Sequence, residues 1–236
     1  MKTWIGTSGF QYPEWKGKFY PATMPAAKML AYYSERFSTT EVNYTFRSIP
    51  SEAALSRWSA ATPDDFRFSF KAPQRVTHFA KLKGCAEVID VFAKAISKIT
   101  EKAGIVLFQL PPTFKKDAPL LEGFLATLPS SIRATFEFRH PSWLEDNEVL
   151  TTLRKYNAAL CIAETEELDA TQVATADFGY LRLRREDYTG PQIERWAEFI
   201  QSQEAQWREA FIYFKHEEEA VGPRFAQQLL GIFGQR

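Results

Sequence analysis

The stretch ATFEFRHPSW (134–143) sets Glu137, Arg139 and His140 among Thr135, Phe136 and Phe138, whose β-branched and aromatic side chains read as a buried strand. A charge left alone in such a strand costs several kcal/mol, from roughly 2 upward, so each charge here needs a partner or a cavity. A carboxylate and a guanidinium two residues apart share one face of a strand. Together they can hold an anion or take part in proton transfer. Other segments repeat the arrangement: Glu41 and Asn43 in TTEVN, Lys71 in FRFSFK, Gln109 in IVLFQL, Glu164 in ALCIAE, Arg182 and Arg184 in YLRLR, and Lys215 in AFIYFK.

These groups sit on segments that alternate regularly with helical stretches. Strands are expected at 3–8, 39–43, 66–71, 105–110, 134–139, 159–164, 179–184 and 210–215. Between them, helical patterns cover 26–37, 51–62, 86–104, 118–128, 146–157, 191–203 and 222–233, with 165–177 the weakest. Eight strand–helix units in this length predict a single (β/α)8 TIM-like barrel domain over 1–236. An open doubly wound sheet would need a glycine-rich first turn, and GTSG lacks the third glycine of the dinucleotide fingerprint.

Barrel strands alternate between lumen and helix layer, which predicts Phe136 and Phe138 outward and Glu137 and Arg139 inward. By the same rule Lys71, Arg182 and Arg184 point inward, whereas the inward face of the last strand is left open. Seven strands then carry a polar lumen group in their last half, the end at which barrel enzymes keep their sites. Three carboxylates (Glu41, Glu137, Glu164) face five bases (Lys71, Arg139, Arg182, Arg184, Lys215), and the surplus of two positive charges suits a carboxylate or phosphate.

His78, His140 and His216 all follow strand ends and fall on the same mouth, where histidine serves as base, donor or metal ligand. No fixed histidine spacing accompanies them, and the nearby cations oppose a divalent ion, so no metal is expected. Lys71 and Lys215 have two readings: Schiff-base nucleophiles in a desolvated positive pocket, or clamps on the substrate, the second being favoured for at least one. The loops after strands seven and eight, REDYTG and HEEEAVG, are acidic and lack the glycine-rich phosphate cradle. Aromatic residues crowd GFQYPEWKGKFYP, including Trp15 and Tyr20, and Trp143 follows strand five. They read either as packing under loops or as a stacking wall for a ring-shaped ligand.

Formal net charge is zero, 29 basic against 29 acidic residues, so no global field recruits nucleic acid or membrane, and nucleic-acid binding is the runner-up. No segment has the ~20 apolar residues of a spanning helix, and MKTWIGTSGF reads as neither signal peptide nor anchor. Cys85 and Cys161 lack metal or redox spacing and read as buried thiols of a cytoplasmic protein, expected to be a monomer.

The motifs GTSGFQYPEWKGKFYP, EVNYTF, TPDDFRFSFKAPQRVTH, LFQLPPTF and FEFRHPSW, in this order, resemble the YecE-like family, also called domain of unknown function 72. The resemblance implies a TIM-like barrel without an established activity, sometimes grouped by fold with sugar isomerases. The positions most like the shared pattern are Gly6, Thr7, Ser8, Gly9, Trp15, Tyr20, Pro21, Glu41, Asn43, Phe46, Lys71, Thr77, His78, Gln109, Pro111, Glu137, Arg139 and Trp143. Toward the C-terminus the chain departs: Arg182-Leu183-Arg184-Arg185 stands where many members look like Arg-x-His-Gly, and Lys215-His216-Glu217 where many have Asn-Asp.

The expected function is isomerase- or lyase-like acid–base chemistry on a small anionic, sugar-like or ring-containing metabolite, without a cofactor. Glu41, Lys71, Glu137 and Arg139 are the expected catalytic groups, with either glutamate as base and the cations holding developing negative charge. Ser8, Trp15, Tyr20, Asn43, His78, Gln109, His140, Trp143, Arg182, Arg184, Lys215 and His216 are the expected binding groups. A ligand-binding module without turnover is a further alternative.

Overall fold

The computed structural model describes residues 1–166, 170–215 and 218–234. Eight parallel strands, β1 (Lys2–Ser8), β2 (Thr39–Val42), β3 (Arg67–Lys71), β4 (Ala103–Gln109), β5 (Ala134–Glu137), β6 (Ala159–Glu164), β7 (Phe178–Leu183) and β8 (Glu209–Phe214), close in chain order into a barrel. Seven α-helices among the described residues cover it: α1 (Ala26–Ser34), α2 (Glu52–Ala60), α3 (Ala86–Ile96), α4 (Ala118–Thr127), α5 (Glu148–Lys155), α6 (Gly190–Ser202) and α7 (Val221–Ile232). The molecule is therefore an α/β protein with the (β/α)8 fold of a TIM-like barrel.

Two apolar clusters follow from strand alternation. Phe68, Phe70, Phe108, Phe136, Leu181 and Leu183 pack outward with the helices in the larger one. Trp4, Ile105, Leu107, Cys161, Phe178, Tyr180, Phe211 and Tyr213 fill the lumen in the smaller one. The lumen cluster settles the inward face of β8, because Phe211 and Tyr213 belong to it and Lys215 continues their phase. Polar groups bind the lumen across the barrel: the Tyr213 hydroxyl donates to Ser69 Oγ at 2.8 Å and lies 2.8 Å from Thr39 Oγ1.

Gly6 allows β1 and β2 to close. A Cβ there would stand 2.0 Å from the Thr39 carbonyl oxygen, a backbone atom that cannot step aside. The space is taken by the Tyr33 hydroxyl of α1, which accepts from Thr7 N at 2.8 Å and donates to Thr39 O at 2.9 Å.

The structure corrects the helix expected at 165–177: none of its described residues is helical. Thr175 instead pins this segment along β6, its hydroxyl accepting from Leu160 N at 2.7 Å and donating to Ala158 O at 2.8 Å. Thr171, Val173 and Thr175 also give the segment poor helix propensity. The long helix expected over 86–104 stops at Ile96, turns through Ser97–Lys102 with Ile99 outside helical geometry, and enters β4 at Ala103.

Candidate functional site at the barrel mouth

The strand ends β1, β2, β4, β5 and β7 join in one buried charge network. Glu41, fully buried, accepts from Ser8 Oγ at 2.5 Å, Tyr180 Oη at 2.6 Å and Arg182 Nη2 at 3.0 Å. Asn43 supports this side by donating to Ser8 Oγ at 2.9 Å. Glu137 accepts from Gln109 Nε2 at 2.7 Å, Arg139 Nε at 3.0 Å and Arg182 Nη1 at 2.5 Å. Arg182 thus bridges the two carboxylates across the lumen, and its Nε is buried with no hydrogen-bond partner. Burial would raise both carboxyls. The Arg182 field outweighs it and, with the hydrogen bonds, holds Glu41 below the ordinary carboxylate range and Glu137 well below it.

Lys71, at the end of β3, is built differently. Its ammonium lies 4.2 Å from the centroid of the Phe46 ring and has no ion pair or hydrogen bond among the described residues. Burial, then the field of Arg182, pushes its pKa down to about 8, with Glu41 and Glu137 offsetting only part of the shift. The backbone around it is fixed by Thr45, whose hydroxyl sits 2.6 Å from Lys71 O and 2.9 Å from Val42 O. His78, on the helical turn Arg75–Phe79 after β3, meets Phe46 edge to face at 4.9 Å, and Thr77 Oγ1 lies 2.9 Å from its Nδ1. Burial lowers the His78 pKa, and Lys71 and Arg139 lower it further.

On the β5–β7 side Arg139 is exposed and Arg184 half-buried, the latter 3.9 Å from Glu137. A cavity of about 270 Å³ opens beside them, lined by Glu137, Arg139, His140, Cys161 and Ala163 among others. The small lumen residues of β6, Ala159, Cys161 and Ala163, leave this room. His140 is turned into its own loop, its Nδ1 2.8 Å from Ser142 Oγ.

The strand alternation thus brings together Ser8, Glu41, Asn43, Lys71, Gln109, Glu137, Arg139, Arg182 and Arg184, with His78 beside Lys71. Lys215 is half-buried and in phase with Tyr213. His216 lies outside the described residues. Three aromatic residues expected to bind ligand are not brought to the mouth. Trp15 and Tyr20 are 1% exposed and pack with Tyr12 and Phe19, Tyr20 donating to Phe10 O at 2.5 Å. Trp143 is fully buried, stacks on Phe138 and donates to Phe114 O at 2.6 Å. A loop tryptophan or tyrosine whose polar atom finds a backbone carbonyl is satisfied inside the packing.

Glu164 is a further correction. It shares the outward phase of Leu160 and Ile162 and accepts from Tyr188 Oη at 2.5 Å and Trp196 Nε1 at 3.1 Å. The mouth therefore has five bases against two carboxylates, a surplus of three rather than two. Tyr180 was passed over in the sequence, although YLRLR sets it in phase with both arginines. Among the described residues no three His, Cys, Asp or Glu groups gather to hold a metal ion.

Residues 4–236 match a family model described as "Protein of unknown function DUF72". Among curated proteins the chain is similar to UPF0759 protein YecE of Escherichia coli (strain K12), 31% identical over 153 residues, 64% of this chain and 54% of that protein. It is also similar to UPF0759 protein YunF of Bacillus subtilis (strain 168), 29% identical over 132 residues, 52% of this chain and 47% of that one. The chain spans about half the length of the curated relatives it matches. A solved DUF72 family protein from Thermotoga maritima MSB8 superposes with a TM-score of 0.86 at 23% identity, covering 100% of both chains. D-allulose 3-epimerase from Methylomonas sp. superposes at 0.60 with 12% identity, covering 100% of this chain and 97% of that one. At these identities the two structures speak to the fold alone. The chain belongs to the DUF72 family.

Proposed function

We propose that this member of the DUF72 family is an enzyme that carries out acid–base chemistry on a small anionic metabolite held at the C-terminal mouth of its barrel. The observation that carries the reading is Lys71: an amine with no ion pair or hydrogen bond among the described residues, packed on Phe46, with a pKa near 8 and two arginines, Arg182 and Arg139, acting on it electrostatically. An amine poised near neutrality can give and take a proton at physiological pH. Carboxylates held below their ordinary range are poor bases, so Glu41 and Glu137 pass from the expected base role to that of anchors for Arg182. Arg139 and Arg184 are the groups offered to the anion, and His78 is the second proton carrier. The fold shared with D-allulose 3-epimerase keeps a sugar-like ligand within the proposal.

A nucleic-acid reading has one observation in its favour, the exposed rings of Tyr44 (58%) and Phe79 (72%) on the loops after β2 and β3. Thermal unfolding of the protein with a panel of sugar phosphates and hydroxy acids, followed by product analysis, tests the main reading. Stabilisation by an anion together with turnover that Lys71→Met abolishes is the expected outcome. Stabilisation without turnover in the wild type would leave a binding module, and no stabilisation by any anion would overturn the site.

A further inference from the structure

Every carboxylate oxygen at the mouth is already committed. Glu41 Oε1 takes Ser8 and Arg182, and Glu41 Oε2 takes Tyr180. Glu137 Oε1 takes Gln109 and Arg139, and Glu137 Oε2 takes Arg182. The fold thus assigns both buried carboxylates of the mouth to arginine and leaves Lys71, at the end of β3, with an aromatic ring. A lysine serving only to balance charge would sit against a carboxylate. An amine placed against Phe46, half-buried and beside guanidinium groups, instead gives up its proton more readily than a free lysine, so a larger fraction of it carries a free lone pair near neutral pH.

We infer that Lys71 is a covalent nucleophile that forms a Schiff base with the carbonyl carbon of a small anionic aldehyde or ketone, whose charge is held by Arg139 and Arg184. The inference rests on the proposed anion site and narrows its substrate class to carbonyl compounds. The unprotonated Nζ adds to the carbonyl carbon, forming a C–N bond as the π electrons move to oxygen, which takes a proton while nitrogen gives one up. The carbinolamine then takes one further proton and loses water to give the protonated iminium. The net step consumes one amine, one carbonyl and one proton and releases one water, with no oxidant or reductant. His78, whose pKa is lowered and which is therefore mostly neutral at pH 7, contacts the same Phe46 ring as Lys71 and is the proton carrier. Phe46 thereby acts as a positioning residue for both.

The test is reductive trapping. The full chain is incubated at pH 7.5 with pyruvate or with glyceraldehyde 3-phosphate, reduced with borohydride, digested and mapped by mass spectrometry. A pKa near 8 rather than 10.5 leaves roughly 200-fold more free amine at this pH, so Lys71 should carry the adduct at least about tenfold over any other lysine. Lys71→Arg should lose that adduct while keeping its far-ultraviolet circular dichroism. Equal, low labelling of the exposed Lys16, Lys28 and Lys83 in the wild type, without enrichment at Lys71, would overturn the inference with no variant needed. Lactate and glycerol 3-phosphate, which lack the carbonyl, separate the two levels. If they stabilise the protein against heat and trapping fails, the anion site stands and the Schiff base falls; if they do not stabilise it and trapping fails, both fall.

Discussion

Glu137 and Lys71 lie in the same lumen and respond oppositely to burial, because one is given partners and the other is not. Glu137 is held by Arg182, Arg139 and Gln109, so Glu137→Gln strands a buried cation and should lower unfolding free energy by about 3 kcal/mol or more at neutral pH. Its folded pKa lies below the ordinary 4.5, so its contribution is complete above that value and fades as pH falls toward the folded one. Denaturant titrations from pH 7 down to 3 should therefore show the wild type losing its advantage over Glu137→Gln. Lys71 has the reverse sign. Its folded pKa of about 8 lies below the ordinary 10.5, so charging it penalises the folded state at pH 7, and that penalty disappears as pH rises from about 8 to 10.5. Lys71→Met should thus be more stable than the wild type at pH 7 by up to about 3 kcal/mol, with the two converging above pH 10.5, the pattern of a site that trades stability for function. Equal stability at pH 7 would remove Lys71 from the proposed chemistry. These inward groups were legible because alternation alone assigns Glu137, Arg139, Arg182 and Lys71 to the lumen. Trp15, Tyr20 and Trp143 were not, since composition does not say whether a loop ring faces a ligand or its own loop.

At the scale of elements, the eight strands were legible within about two residues at each end, because each is a short apolar run bounded by turn residues. The connection between β6 and β7 was not, because the threonine-rich segment gains more by hydrogen-bonding along β6 than by winding alone. Glu164 was not legible either, because polarity alone suggests the lumen whereas its phase with Leu160 and Ile162 turns it outward to Tyr188 and Trp196. Among the glycines of the described residues the tightest position is Gly6, where Tyr33 and the Thr39 carbonyl occupy the space a side chain would need. Gly6→Ala must push β1 from β2, at a cost at or above the upper end of the ~1–3 kcal/mol typical of overpacking. Thermal unfolding should show it directly, and a melting temperature within a degree or two of wild type would mean that β1 can slide without consequence. Since Ser8 follows two residues on and binds Glu41, the same substitution should also weaken anion binding.

For the molecule as a whole, zero net charge conceals a local surplus: the mouth holds five bases and two carboxylates, while acidic residues such as Glu186 and Asp187 lie in the surrounding loops. That field opposes a divalent cation, so elemental analysis of the purified protein should find no stoichiometric zinc, manganese or magnesium; one tightly bound ion per chain would recast the glutamates as ligands. The same field discriminates between ligands by size. A small dianion entering the mouth meets only the few charges there, and its affinity should fall only a few-fold when salt rises from about 50 to 200 mM. A single strand tracking Tyr44 and Phe79 would have to neutralise several phosphates. With a slope near −0.7 per phosphate, five contacts would weaken it about 100-fold over the same range. Titrating a sugar phosphate and a short oligonucleotide against the protein at both salt concentrations therefore separates the readings. Detectable oligonucleotide binding with the steep slope, and no small-anion binding at either salt, would move the function from the lumen to the loops above it. The expected outcome is the reverse, because the cavity of about 270 Å³ that Glu137 and Arg139 line admits a small molecule, not a polymer lying across its rim.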